Sequence, residues 1–406
     1  MLTVAMVSPL PPERAGEAEY TASLIRELSA RGVRVLAIAG KSARPLNSPN
    51  VTTAPIWDGR QLTYPFRLAS FLRRNRPHIL HVQFGPDRQV YGGFFGEVML
   101  ILLLLARLMG IKTTVTLHST WMPAQVVERV KTYRLLSKFA VLAAPFFRLY
   151  MRLLDWGTNT IQLSTVRFNS ALRQRFLREY KIRPEKVLEI PHPCRPVKSK
   201  PNPVEARREL GLEGREPLLV FGFIRRGKGI EVAVKAIAEV ARHHPSVLLL
   251  IAGSPWGQDG KKYLAELRRH AHQAGLSRWI RFDAEFIPDE RVPLYFASAT
   301  VILLPYEESV GASGPAHHYA GYGVPIIAAD VGLHMREALG GSLVLFRRGD
   351  ANDLANKILN LLEDSETRYA IGDALRHHAE VETWTIAASR TLAHYRVTMR
   401  LQSATQ

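Results

Sequence analysis

The sequence has little of what a disulfide-stabilised or membrane-spanning protein needs. It contains one cysteine, Cys194, among 406 residues. A single cysteine excludes an internal disulfide framework and a cysteine-rich metal site, and it favours a reducing compartment. The most apolar stretch, 94–109, is interrupted by Glu97 and Arg107 and is shorter than the ~20 residues that a membrane span needs. We therefore expect a buried or surface-associated helix there.

The N-terminal sequence also lacks the pattern of a secretory signal. A basic segment followed by a long apolar core is absent from "MLTVAMVSPLPPERAG", and the short apolar run 2–6 is typical of a buried strand. We expect this run to be the first strand of a cytoplasmic protein.

Acidic residues are scarce relative to basic ones. The chain has 54 Lys and Arg against 36 Asp and Glu, a formal net charge of +18. Part of the excess lies in 128–200, where basic and apolar residues alternate as in "KFAVLAAPFFRLYMRLLDW". This pattern fits contact with an anionic membrane surface, and it fits equally a solvated basic face over a packed helix. No nucleic-acid-binding motif accompanies the charge, so a nucleic-acid partner is not expected.

Short apolar runs alternate with helical patterns along the chain, which predicts parallel α/β layers. The predicted strands are 2–6, 33–39, 79–83, 113–117, 160–163, 186–190, 218–223, 247–253, 280–282, 301–304, 325–328 and 342–346. The predicted helices are 20–31, 65–74, 92–109, 170–180, 229–243, 261–274, 290–296, 315–322 and 351–363. Five prolines in 191–210 predict a linker between two doubly wound halves. Ligands of such sheets bind beyond the carboxyl ends of the strands, so we expect a cleft between the halves.

The first candidate motif is "LVFGFIRRGKGIEVAVKAIAEV" at 219–240. A strand leads into a basic turn that carries Arg225, Arg226 and Lys228 between glycines, and an amphipathic helix follows. Cations beside a helix N-terminus suit a diphosphate. The spacing is not that of a Walker A loop, and the alternative is a solvated basic turn.

The second candidate motif is "LLPYEESVGASGPAHHYAGYGVPIIAAD" at 303–330. Ser313 and Gly314 would expose backbone amides at a helix start, where a phosphate binds well. A carboxylate would repel that phosphate, so Glu307 or Glu308 is better placed to accept hydrogen bonds from hydroxyls. Phosphate beside hydroxyls is what a nucleotide sugar presents.

These motifs and others in the same order resemble the family 4 glycosyltransferases of the GT-B fold. The other landmarks are "SPLPPERAGEAEYTASLIREL", "ILHVQF", "TTVTLHSTW", "LSTVRFNSAL", "LEIPHP", "LLIAGSPWG", "FIPDERVPLYFASATVILLPY" and "ETWTIAASRTLAHYR". The resemblance implies two Rossmann-like domains facing a cleft: an acceptor-binding domain at 1–195 and a nucleotide-sugar-binding domain at 196–380. It also implies that a helix in 381–406 crosses back to the first domain.

The resemblance implies roles for the basic turn and for His118. Arg225 and Lys228 would hold the donor diphosphate and stabilise it as it leaves, and Arg226 could replace Arg225. His118, at the end of the strand "TTVTLH", would lie near the transferred sugar. The alternative for His118 is a histidine that caps a strand and bonds to a loop.

Further implied donor contacts lie in three segments. Glu308 would contact the sugar or ribose, Ser313 and Gly314 would contact phosphate through their backbone, and a turn ending at Gly16 would lie against the donor. The sequence departs from the commoner family pattern at His318, where many relatives have a glutamate.

His317 and His318 are adjacent, so their side chains point about 100° apart on a helix. We expect one to line the cleft and the other to pack, without a metal, because a zinc pair usually has i, i+4 spacing. No cofactor other than the nucleotide sugar is expected.

We therefore predict a hexosyltransferase that moves a sugar from a nucleotide diphosphate sugar to a hydroxyl acceptor. Retention of configuration is implied by the family alone, and Arg225 and Lys228 could replace a metal. The basic, apolar surface suggests a lipid-linked or cell-surface glycan as acceptor and peripheral contact with the inner face of a membrane. The alternatives are a sugar-nucleotide epimerase or phosphorylase of the same fold, or a non-catalytic homologue.

Overall fold

The computed structural model describes residues 1–13, 15–85, 88–93, 95–131, 137–164, 170–307, Gly311 and 313–400. These residues form two compact units, each built on a parallel sheet. Of the described residues, the first unit contains 1–192, Gly311 and 384–400, and the second contains the rest.

The first unit alternates strands and helices. Its strands are β1 (Thr3–Val7), β2 (Arg34–Gly40), β3 (Val51–Trp57), β4 (Ile79–Phe84), β5 (Lys112–Leu117), β6 (Thr160–Leu163) and β7 (Val187–Glu189). Its helices up to β7 are α1 (Gly16–Ala30), α2 (Tyr64–Asn75), α3 (Arg88–Tyr91), α4 (Met99–Leu108), α5 (Pro123–Lys131), α6 (Ala140–Gly157) and α7 (Ala171–Tyr180).

The first sheet has the strand order β3-β2-β1-β4-β5-β6-β7, and every described strand pair in it is parallel. Successive strands are therefore added on one side of β1 up to β3 and on its other side from β4 to β7, as in a doubly wound fold. The central strands β4 and β5 are buried along their whole length, because helices cover both faces of a parallel sheet.

The first unit differs from the sequence prediction in several elements, among them the helices α5 and α6, which lie in a segment where no helix was predicted. The strand β3 was missed because its sequence "VTTAPIW" contains Pro55. It lies at the edge of the sheet, where a residue without a backbone donor is tolerated. The helix predicted at 92–109 begins only at Met99, because Gly92, Gly93 and Gly96 have positive φ angles of 76°, 73° and 82°.

The second unit repeats the pattern. Its strands are β8 (Glu216–Phe221), β9 (Val247–Ala252), β10 (Ile280–Asp283), β11 (Val301–Leu304), β12 (Ile326–Asp330) and β13 (Val344–Arg347). Its helices are α8 (Pro203–Glu209), α9 (Ile230–His243), α10 (Gly257–Gln273), α11 (Val292–Ser298), α12 (Gly314–Tyr319), α13 (Leu333–Glu337), α14 (Ala351–Glu363) and α15 (Ser365–Val381).

The second sheet has the order β10-β9-β8-β11-β12-β13, again with parallel pairs throughout the described strands. Separate apolar clusters cover its two faces, one formed with α9, α10 and α14 and the other with α11, α12, α13 and α15. The prediction of two Rossmann-like α/β domains is confirmed.

The final described helix, α16 (Trp384–Arg400), belongs to the first unit. It packs against α1, and its Tyr395 is fully buried in the same core as β1 and α1. Polar side chains join it to the sheet, since His394 Nε2 lies 2.6 Å from Thr160 Oγ1 and Thr398 Oγ1 lies 2.8 Å from the same atom. The C-terminal helix therefore completes the first unit.

The unit boundaries fall at 192/193 and 383/384, rather than at the predicted 195/196 and 380/381. The physical reason is a pairing of the two connecting segments. The backbone N of Cys194 donates to the carbonyl oxygen of Glu382 at 2.7 Å, and Cys194 forms a parallel bridge with Thr383.

The helix α6 presents an apolar face to solvent. Its exposed large side chains are Val141, Leu142, Phe146, Leu149, Leu153 and Trp156. The opposite face packs into the unit through Phe147, Tyr150 and Met151. In the described part of the chain, no helix combines the length and the apolar character required to cross a bilayer.

Candidate functional site

The basic turn after β8 is shaped by glycines. Gly222, Gly227 and Gly229 have φ angles of 113°, 81° and 63°, in the region that glycine adopts without strain. A Cβ on Gly229, the N-cap of α9, would overlap the carbonyl oxygen of Pro305. The turn is therefore pressed against the segment that follows β11, and the backbone N of Glu307 donates to Gly227 O at 3.1 Å.

Lys228 lies between aromatic and cationic neighbours in this turn. Its Nζ lies 4.2 Å from the centre of the Tyr306 ring, close enough for a cation–π interaction. Burial, together with the charge of Arg225, lowers the pKa of Lys228 to about 8. Burial and a like charge both disfavour the ammonium form, so an incoming phosphate would stabilise it.

The structure separates the two arginines of the turn. The Arg226 guanidinium pairs with Glu266 of α10 at 2.5 Å and lies 5.2 Å from the centre of the Tyr263 ring. Arg225 is exposed, and its Nη1 donates to the backbone oxygen of Arg226 at 3.3 Å. Arg226 is thus held by α10, whereas the charge of Arg225 helps to lower the pKa of Lys228.

The carboxylates predicted beside the turn are described only in part. Glu308 lies outside the described residues. Glu307 is described: its backbone oxygen accepts from Arg348 Nη1 at 3.2 Å, and its Oε2 lies 4.0 Å from the position of a Cβ on Gly227. The Glu307 carboxylate is therefore beside the basic turn.

The second motif forms a helix start with unusual backbone geometry. Ser313 has φ 56° and ψ 70°, which is strained for a non-glycine residue, and it precedes Gly314 as the N-cap of α12 without a side-chain capping bond. Burial raises the pKa of the nearby Tyr306 hydroxyl, which faces Ser313. The buried start of α12 thus lies close to the ring that contacts Lys228.

The two adjacent histidines have different environments. His317 is 4% exposed, and its Nδ1 lies 3.1 Å from the backbone oxygen of Ser313. His318 is exposed. In the described ranges no group of three His, Cys, Asp or Glu side chains is arranged to hold a metal ion.

In the first unit, His118 follows β5 at its carboxyl end. Its Nε2 lies 2.9 Å from Gln83 Oε1 and its Nδ1 lies 3.3 Å from Ser164 Oγ. The Tyr20 ring packs edge-on against it, with 4.5 Å between ring centres. Burial lowers the pKa of His118 to about 3, so its ring is neutral near pH 7. It therefore interacts through hydrogen bonds and carries no positive charge.

The glycine turn predicted before α1 is described from Ala15 onward, since Arg14 lies outside the described residues. Gly16 is the first residue of α1, and a Cβ there would meet no atom within 4 Å. The local backbone therefore does not require glycine at this position. A ligand lying against the turn would be the reason for a glycine here. The contact of Gly16 with the sugar donor therefore stays a prediction.

Sequence reasoning missed Tyr306 and Gln83. Tyr306 directly follows the "VILLP" segment, so its position at a strand end was visible, but its contact with Lys228 depends on packing between two distant turns. Gln83 was detectable as one of two polar residues in the mainly apolar strand "ILHVQF". It lies two positions after His81, so both side chains lie on one face of the strand.

Comparison with known proteins agrees with this architecture. A family model described as "Glycosyl transferase 4-like domain" matches residues 15–192, and one described as "Glycosyl transferases group 1" matches residues 215–364. The first match covers β2 to β7 of the first sheet, and the second covers all six strands of the second sheet. The chain belongs to the GT-B glycosyltransferases.

Individual relatives support the family and the fold to different extents. A D-inositol 3-phosphate glycosyltransferase from Corynebacterium jeikeium is 33% identical over 187 residues, which are 45% of this chain and 44% of the relative. The match thus spans less than half the length of that relative.

Several solved structures match almost the whole chain, and two of them illustrate the likeness. Anabaena Alr3699/HepE in complex with UDP has a TM-score of 0.71 at 15% identity and covers 98% of this chain and 99% of its own. A glycosyltransferase from Rickettsia africae has a TM-score of 0.72 at 13% identity, with 98% and 99% coverage. At these identities they show the fold alone.

Proposed function

We propose that this GT-B protein transfers a hexose from a nucleotide diphosphate sugar to a hydroxyl acceptor. The observation that carries the proposal is Lys228, partly desolvated against Tyr306 and next to the exposed guanidinium of Arg225, at the N-terminal end of α9. A diphosphate is the ligand that these cations and the helix dipole favour together.

The same residues account for catalysis of bond cleavage. When the glycosidic bond breaks, the diphosphate gains negative charge, and preorganised cations stabilise that charge more in the transition state than in the ground state. Lys228 and Arg225 supply this stabilisation without a metal ion, and Ser313 and Gly314 add backbone donors. We propose retention of the anomeric configuration from family membership.

The donor is proposed to be a UDP-sugar, because Alr3699/HepE was crystallised with UDP. A thermal-shift screen of UDP-, GDP- and ADP-sugars tests the donor, since a ligand that binds only the folded state raises its stability. We expect a shift with one nucleotide class, lost in Lys228→Ala and kept in Lys235→Ala, a change of an exposed lysine on the same α9. No shift with any nucleotide sugar would support a non-catalytic homologue. Release of an epimerised nucleotide sugar, or dependence on free phosphate, would support the epimerase or phosphorylase alternatives.

The acceptor is proposed to be lipid-linked, with the protein bound peripherally to the inner face of a membrane. The exposed apolar face of α6 is accompanied by the exposed cations Lys138, Arg148 and Arg152, a combination that suits an anionic bilayer surface. Flotation with anionic and with neutral liposomes at low salt tests this. We expect binding to anionic vesicles only, reduced in Leu142→Glu; absence of binding, with transfer to free D-inositol 3-phosphate, would instead favour the acceptor for which the curated relatives are named.

A further inference from the structure

A polar row crosses the interior of the first unit beneath His118. His81 and Gln83 on β4 and Thr116 on β5 are all 0% exposed, and the register pairs Gln83 with Thr116. Buried polar groups cost free energy unless they are hydrogen-bonded. The arrangement of their bonds is therefore determined by geometry.

The bonds form a chain from α16 to His118. Tyr395 Oη lies 2.7 Å from His81 Nδ1. Gln83 Nε2 lies 3.1 Å from His81 Nε2, and Gln83 Oε1 lies 2.9 Å from His118 Nε2. Thr116 Oγ1 is also 2.7 Å from His81 Nε2. Each neighbouring pair in the chain is within hydrogen-bond distance.

The amide of Gln83 gives this chain a direction. An amide nitrogen can only donate, so His81 Nε2 must accept, which places the His81 proton on Nδ1 facing Tyr395. An amide oxygen can only accept, so His118 Nε2 must carry a proton. The lone pair of His118 then lies on Nδ1, towards Ser164 Oγ, whose proton is shared between His118 Nδ1 at 3.3 Å and the carbonyl oxygen of Leu117 at 3.1 Å.

We propose that Gln83 is a positioning residue that holds His118 in its neutral, Nε2-protonated form. The proposal rests on the proposed role of His118 near the transferred sugar. Because its single proton is donated to Gln83, the ring can only accept a hydrogen bond at Nδ1, so a substrate hydroxyl would bind there as the donor. A ring that exchanges tautomers would present a donor and an acceptor in turn. Gln83 would thus act on the substrate only through His118.

The test is the proton position on His118, read from long-range ¹H–¹⁵N correlation spectra of the ligand-free, ¹⁵N-histidine-labelled full chain. The His118 signals are assigned by their loss in His118→Asn. In the wild type we expect a neutral ring with the proton on Nε2 between about pH 5 and 8. In Gln83→Leu we expect a mixture of tautomers, because the Nε2 proton has lost its acceptor.

Gln83→Glu tests the same contact with opposite electrostatics. A buried carboxylate only accepts and carries charge, so it favours the imidazolium. We expect the pKa of His118 to rise by more than one unit. Tyr395→Phe should alter the His81 signals and leave His118 on its Nε2–H form.

Gln162→Leu is the matched control, because Gln162 is also 0% exposed and lies in the same row on the other side of Thr116. It should leave the His118 signals unchanged. A wild-type His118 protonated on Nδ1 would overturn the proposal without any variant, as would an unchanged His118 tautomer and pKa in both Gln83 variants. These spectra need no substrate, so failure of the proposed glycosyl transfer would be seen separately, as absence of a nucleotide-sugar thermal shift.

Discussion

Lys228 and His118 both follow the carboxyl end of a parallel strand, yet the protein treats them in opposite ways. Lys228 lies in a glycine turn with a second cation beside it, and its pKa of about 8 leaves it charged near pH 7. His118 lies above a row of buried neutral groups, and its pKa of about 3 leaves it uncharged. We propose that the turn at Lys228 stabilises an anion and that His118 orients hydrogen bonds. A reaction that expels a diphosphate from a sugar needs both properties.

Catalysis should be more sensitive to mutation of Lys228 than to mutation around His118. Lys228→Met keeps the side-chain length and removes the charge, so we expect kcat for sugar transfer from the responding nucleotide sugar to fall about 10²- to 10³-fold, as when one transition-state donor is removed. Lys235→Met on the same helix serves as control and should retain wild-type turnover. A kcat for Lys228→Met that is reduced less than tenfold from wild type would show that the turn does not stabilise the leaving group.

Neutral histidines buried in the first unit should make stability depend on pH in the acid range. His394 of α16 is one of these histidines. Burial lowers the pKa of His394 to about 4, below the ~6.5 of an unfolded histidine. The unfolded chain therefore binds more protons between these values, and the free energy of unfolding should fall by about 1.4 kcal/mol per pH unit for such a histidine as pH drops from 6.5 to 4.

Chemical denaturation at several pH values measures this slope. In His394→Gln the number of protons taken up on unfolding between pH 4 and 6.5 should be smaller by about one, which reduces the slope. His270→Gln, at an exposed position on α10, should leave the slope unchanged. Equal slopes in wild type and His394→Gln would show that His394 is not buried in its neutral form.

The two arginines of the basic turn should differ in nucleotide affinity. Arg225 is exposed beside Lys228, whereas Arg226 is held by Glu266 and Tyr263. We expect Arg225→Gln to weaken UDP binding about tenfold, in the range of one charge-assisted hydrogen bond, and Arg226→Gln to weaken it by less than threefold. Isothermal titration with UDP measures both, and the reverse order would assign the phosphate contact to Arg226.

The smallest effect should come from the aromatic neighbour of Lys228. A cation–π contact contributes about 0.5–2 kcal/mol. Tyr306→Leu should therefore weaken UDP binding severalfold, while Tyr306→Phe, which keeps the ring, should match the wild type. If both variants lose equal affinity, the Tyr306 hydroxyl and not its ring supports the site.

The regular elements were largely predictable from sequence patterns. The strand Val301–Leu304 and the helix Ala351–Glu363 have their predicted bounds, because each couples a clear periodicity to a sharp terminator. In the helix, Asp350 caps the first turn by accepting from the backbone N of Asn352 and Asp353. The strand β3 was lost to Pro55, since sequence alone does not show which strand lies at an edge.

The candidate site was predictable as a set of residues but not as a set of contacts. The residue types at 225–228 already indicated anion binding. The choice between Arg225 and Arg226 depended on Glu266, forty residues further along the chain, and local spacing carries no such information. The acceptor of the His118 proton likewise came from a neighbouring strand.

The return of the chain at Thr383 has a consequence for synthesis. The second unit begins and ends where Cys194 and Glu382 are hydrogen-bonded, so it is an insertion whose two ends lie side by side. On the ribosome its residues are all made before α16 emerges. Until then His81, Thr114 and Thr160 lack the partners that Tyr395 and His394 supply. The part of the protein translated first therefore receives its last helix only after the whole second unit has been synthesised.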